Sequence, residues 1–235
     1  WMAANAPARR MQQRFREDLL PTVFRFIDGL RYAKGHIPGS FERLPREAAA
    51  SFNREHFDDV ISGSHAGFGF ELFETKLSQK AGKTETTSFR GVVTAFELET
   101  PFPGILVATR KSNQVMSFFK GLFGGSGLQE VQSGVPALDE TYDFRTDNVD
   151  AALPLVRGHV AQALQWLAEA WPEEPARIAL KGSDGFLLLP TSKDFFELPP
   201  ISVPLDYDRH IKPIVADMAS LLATAALVRK VGSSP

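Results

Sequence analysis

From Gly67 to Arg110 the alternation of apolar and polar positions predicts three consecutive strands. Phe68, Phe70 and Leu72 fall on one face of the first strand. The polar stretch Gln79 to Thr87 contains Gly82, which allows a turn. Phe89 to Leu98 is apolar on both parities, with Phe89, Val93 and Ala95 on one and Val92, Phe96 and Leu98 on the other. That pattern predicts a central strand covered on both sides. Pro101-Phe102-Pro103-Gly104 predicts a second turn, after which Ile105, Val107 and Thr109 form a third strand paired back as a meander.

Helical periodicity governs the rest of the chain. Met11, Phe15, Leu19, Val23 and Leu30 predict a helix over 8–31, with Pro21 as a kink. The clearest helix is 149–171, where Val149, Leu153, Val156, Val160, Leu164, Leu167 and Trp171 repeat at helical spacing. Pro154 suits its first turn, which predicts a start just before that residue. A last helix over 208–231 presents Ile211, Met218, Leu221, Ala225 and Val228, and its fully apolar part from Met218 to Val228 is too short to span a bilayer. Further strands are expected over 128–133 and 141–146. A hairpin of 177–181 and 186–189 is expected around Gly182-Ser-Asp-Gly185. Strand runs and helices are segregated, so the fold class is α+β: a mostly antiparallel sheet, a long helix over about 149–171, and N- and C-terminal helices packed on it. The reading gives an N-terminal helical region over 1–57, a core domain over 58–198 and a C-terminal helix over 199–235.

Composition narrows the setting. Hydrophobic content of 43% and charged content of 23% are those of a globular domain, and nineteen Phe promise an aromatic core. The net charge of −2 gives no general attraction to nucleic acid, and none is expected as a partner. Without cysteine there are no disulfides and no thiolate chemistry. Residues 1–34 depart from the average: Arg9, Arg10, Arg14, Arg16, Arg25, Arg31 and Lys34 face only Glu17, Asp18 and Asp28, a net +4. The segment reads as the polar face of an amphipathic helix, or as a juxtamembrane stretch on the cytoplasmic side. The opening Trp1-Met2 reads either as a foreign first residue or as a chain trimmed from something longer.

Two places could carry chemistry. His56 and His65, with Asp58 and Asp59 between them, invite a metal or hydrolase reading. Their spacing matches no zinc motif, and no GxSxG elbow is present. Asp58 and Asp59 are therefore expected at a helix end or turn leading into a strand, with no metal and no cofactor. The second place is 115–123, where Met116, Phe118, Phe119, Leu122 and Phe123 crowd around Lys120, followed by glycines. This suits a short helix on the core, or an apolar loop that, with Arg9, Arg10 and Arg14, meets a membrane interface or a partner.

Three motifs, in order, carry a resemblance: Phe89-Arg90-Gly91 running to Phe96-Glu97; Tyr142-Asp-Phe-Arg-Thr-Asp147 entering a helix through Ala151, Leu153 and Pro154; and Asp194-Phe195-Phe196-Glu197. Over roughly 58–198 the chain resembles the bacterial family catalogued as domain of unknown function 3137. The resemblance implies a soluble domain of a commonly membrane-associated protein, without assigned catalytic residues. The expected function is a non-enzymatic interaction module on the cytoplasmic side of the bacterial inner membrane. Its expected partner is membrane lipid or a membrane protein. The alternative is an enzyme using the His56/His65 and Asp58/Asp59 cluster.

Overall fold

The structure, a computed structural model, describes residues 18–111, 127–172, 175–196, 199 and 203–230. Seven strands form one sheet whose pairings are all antiparallel: β1 (Asp28–Lys34), β2 (Arg54–His65), β3 (Phe68–Ala81), β4 (Thr84–Arg110), β5 (Gln129–Val131), β6 (Tyr142–Thr146) and β7 (Arg177–Pro190). Their order is β1-β2-β3-β4-β6-β5, and β7 lies against β4. The helices are α1 (Arg46–Ala49), α2 (Pro136–Thr141), α3 (Val149–Val156), α4 (His159–Ala170) and α5 (Lys212–Val228). The α+β class is the one the segregated pattern predicts.

β4 shows the two-sided burial expected of it. Val92, Phe96 and Leu98 join the core under α3, α4 and α5, while Phe89, Val93 and Ala95 join a second core under Leu44, Ala48 and Ala49. Each fully buried side chain of this size contributes roughly 1.5–3 kcal/mol. The expected turn at Pro101–Gly104 is instead a bend within β4, which continues to Arg110. Phe102 is buried and pairs with Gly182, and β7 holds both halves of β4 through shifts of register at that point. The expected hairpin at Gly182–Gly185 is likewise one strand. Gly185 serves close approach, since a Cβ there would lie 2.4 Å from the Phe96 ring, whereas Gly182 has open space around it and a φ of +55°.

Two helix expectations change. The helix expected over 8–31 is helical at 18–23, but from Asp28 onward the chain is β1, paired along β2 from Asp28↔Ser64 to Lys34↔Asp59. Cross-strand pairing overrides the helical spacing there. The long helix over 149–171 is two helices, α3 and α4, divided at Arg157-Gly158. Gly158 comes so near Pro154 that a Cβ would lie 2.9 Å from its carbonyl oxygen. Pro154 sits inside α3, whose start is capped by the Asn148 side chain accepting from Ala151 N–H.

Candidate functional site

The site is built on a β-bulge. Phe57 pairs with Thr75 and Val60 with Phe73, so two residues of β2, Asp58 and Asp59, oppose the single Glu74 of β3. They sit within a strand, not at the helix end or turn expected for them. One oxygen from each of the three carboxylates lies within 4.8 Å of the others. Asp59 and Glu74 are buried and Asp58 is half-buried. β1 delivers the balancing groups: Lys34 Nζ is 2.6 Å from Asp58 Oδ1 and 3.5 Å from Asp59 Oδ1, and the Tyr32 hydroxyl donates to Asp59.

Glu74 receives a hydrogen bond from the backbone N–H of Phe195. Burial pushes its carboxyl up to about 8; that hydrogen bond opposes the shift, and Asp194, Asp59 and Asp58 add to it. Around these groups is a cleft of about 330 Å³ lined by His56, Arg90, Lys193 and Asp194. Its wall needs Gly91, whose φ of +151° brings the backbone so near β7 that a Cβ would meet Leu189 O at 2.0 Å. The arrangement can hold a proton on Glu74 near neutral pH. The carboxylates are compact enough to share one cation, and the Lys34 ammonium already lies against two of them.

The two histidines do not converge. His56 pairs with Lys76 at one end of β2 and His65 with Phe68 at the other. At the usual strand rise they are about 30 Å apart. The His65 ring lies between Phe26 and Phe68, with Nδ1 3.0 Å from Phe26 O. Met116, Phe118, Phe119, Lys120, Leu122 and Phe123, and Arg9, Arg10 and Arg14, lie outside the described residues.

Glu74, Lys34 and Tyr32 are the members that sequence reasoning missed. A signal was present: Glu74 continues the parity of Phe68, Phe70 and Leu72, a charge where the pattern asks for an apolar side chain.

The C-terminal helix expected over 208–231 is present. Tyr207–Val228, 22 residues, is long and apolar enough to cross a membrane by length and composition. Met218, Leu221, Leu222, Thr224, Ala225 and Val228 form its buried face, against the rest of the domain.

An antiparallel sheet covered on one face by α3, α4 and α5 and on the other by α1, with a carboxylate pocket and separated histidines, defines an α+β domain. The profile of the family described as protein of unknown function DUF3137 matches residues 87–229, and the chain belongs to that family. No curated protein matches the chain significantly. Among solved structures it is similar to the mycobacterial trehalose monomycolate transport factor A, TtfA, at 13% identity and a TM-score of 0.49, over 86% of this chain and 85% of that one.

Proposed function

We propose that the chain is a non-enzymatic interaction module that works at the cytoplasmic face of a bacterial membrane. The observation that carries this reading is the outward face of α5. Pro213, Ala216, Ala219 and Ala223 are exposed along it, and Asp217 is the one charged residue between Lys212 and Arg229. Burial raises the Asp217 carboxyl above the usual range, against the pull of Lys193. The approach to the helix exposes Val203, Leu205 and Tyr207 beside Arg209 and Lys212. Apolar surface bounded by cations suits an anionic bilayer surface or the helix of a membrane protein. The basic segment with Arg9, Arg10 and Arg14, and the apolar segment Met116–Phe123, are proposed to share the contact. The positive-inside bias supports the cytoplasmic side.

Vesicle flotation tests this. The protein should float with phosphatidylglycerol vesicles and not with phosphatidylcholine vesicles. Binding should weaken in Leu205→Ser/Tyr207→Ser, in Ala219→Glu/Ala223→Glu and in Phe118→Ser/Phe119→Ser/Phe123→Ser, each shown to be folded. Absence of flotation in the wild type, or equal flotation of all variants, would overturn the membrane reading.

A further inference from the structure

Away from the exposed face of α5, α2 and α4 enclose a groove of about 630 Å³. We propose that this groove is a separate docking site for a basic, apolar peptide segment of a partner protein. Its lining includes Leu138, Tyr142, Gln162, Trp166, Glu169 and Trp171. Gln162, Trp166 and Glu169 recur at helical spacing, so they form one stripe along α4. On that helix Ala163, Leu164 and Leu167 are buried, whereas Trp166 is 45% exposed. The indole therefore does little for the core and lines the groove.

Tyr142 supplies an independent observation. It is only 2% exposed, yet its buried hydroxyl has no hydrogen-bond partner among the described residues. Burial holds that hydroxyl protonated, its pKa pushed up to about 12, so it remains a donor. A buried phenol normally finds a partner, and a peptide carbonyl that displaced the groove wall over it would provide one.

Charge decides what kind of segment fits. Neither α2 nor α4 carries a Lys or Arg. The charged residue in the groove's lining is Glu169, while the Asp139 carboxylate is held by the Ser133 and Gly134 N–H groups. The carboxyl-terminal end of α4 adds the negative pole of its helix dipole, with no basic residue in its last turn. Lys111, at the α2 end, is engaged with the Asp139 carbonyl at 2.6 Å. A guanidinium or ammonium group entering here meets a carboxylate, a helix carboxyl end and the π face of Trp166 together. An anionic lipid headgroup would be repelled by the same groups. The volume falls in the range of roughly 300–1,000 Å³ that holds a few side chains, which favours a short segment. Gln162 and Gln165 offer amides to its backbone.

The test uses fluorescein-labelled short peptides that alternate Leu with Arg, Leu with Glu, or Leu with Gln, followed by anisotropy on the full chain. The Leu/Arg peptide should bind, more weakly as salt rises, and the Leu/Glu peptide should not. Trp166→Ala and Glu169→Lys, both at exposed positions, should keep the melting transition and weaken Leu/Arg binding on the order of tenfold. Glu169→Lys should also gain affinity for the Leu/Glu peptide. No binding of the Leu/Arg peptide, binding unchanged in both variants, or equal binding of the Leu/Gln peptide would each overturn the proposal. Phosphatidylglycerol vesicles bound by the wild type but not by Trp166→Ala would assign the groove to lipid and overturn it too. The α5 variants leave peptide binding untouched, so the membrane reading and this one fail separately.

Discussion

The backbone N–H of Phe195 donates to the buried carboxylate of Glu74 across 121 residues of chain. This one contact fastens the segment after β7 to the middle of β3. Phe195 and Phe196 then pack on each other, and Phe196 packs edge-on against Phe24. Replacing Glu74 by Ala should leave the N–H buried without its acceptor and cost about 1–3 kcal/mol. Gln retains an acceptor oxygen and should cost less. Urea unfolding of the two variants at pH 5 compares them directly.

The same carboxyl predicts a pH dependence. Its folded pKa, about 8, lies above the ordinary value of 4.5, so the folded state holds the proton longer than the unfolded chain does. The stability contributed by this group is therefore complete below about pH 4.5 and lost as pH rises toward 8. The slope is at most about 1.4 kcal/mol per pH unit. Glu74→Gln should remove that part of the slope and be relatively more stable than the wild type at pH 9. A Gln variant with an unchanged slope from pH 5 to 8 would exclude Glu74 as its source.

Gly91 should tolerate no side chain. Its positive φ disfavours any other residue, and the Cβ of alanine would overlap Leu189 O and crowd Thr191 N. Gly91→Ala should destabilise by at least about 2 kcal/mol and loosen the β4–β7 contact that walls the carboxylate pocket. Thermal unfolding reads the loss. Arg90→Ala, its neighbour in the same Phe89-Arg90-Gly91 motif, provides the comparison, because Arg90 is exposed.

His56 and His65 should act independently. His56→Ala, at an exposed position, should change stability by less than about 0.5 kcal/mol. His65→Ala removes a ring held between Phe26 and Phe68 and should be the more destabilising. The double variant should equal the sum within about 0.5 kcal/mol. Strong coupling between them would revive a shared site.

Elemental analysis of protein purified without chelator should find no stoichiometric metal. Lys34 already places its ammonium against Asp58 and Asp59. Zinc, manganese or iron that is retained by the wild type and lost in Asp59→Asn would reverse that expectation.

These residues also show which parts of the molecule were legible in the sequence. Val92 and Val93 point to opposite sides of β4, and an apolar side chain on each parity was enough to predict a strand covered on both sides. Gly104 and Gly185 misled because turn chemistry and the close approach of a neighbour, Asp147 to one and Phe96 to the other, use the same residue. The deciding partner, Phe96 against Gly185 or Phe102 against Gly182, is about 80 or more residues away. β1 was hidden for a similar reason: Asp28–Lys34 reads as helix alone and becomes a strand only against β2. Half of the carboxylate pocket was legible as Asp58 and Asp59. Lys34 and Tyr32 arrive through that unforeseen strand.

β4 has a consequence for how the molecule comes apart. Val92 is bonded between Glu74 of β3 and Leu189 of β7, and Val107 between Arg145 of β6 and Ala179 of β7. β3, β6 and β7 cannot leave β4 without baring its apolar faces, so the sheet around β4 is expected to open as one cooperative block. The slowest-exchanging amides should form a single set drawn from β3, β4 and β7. A ligand held anywhere on the block should then slow exchange across all of it, including at amides far from the contact.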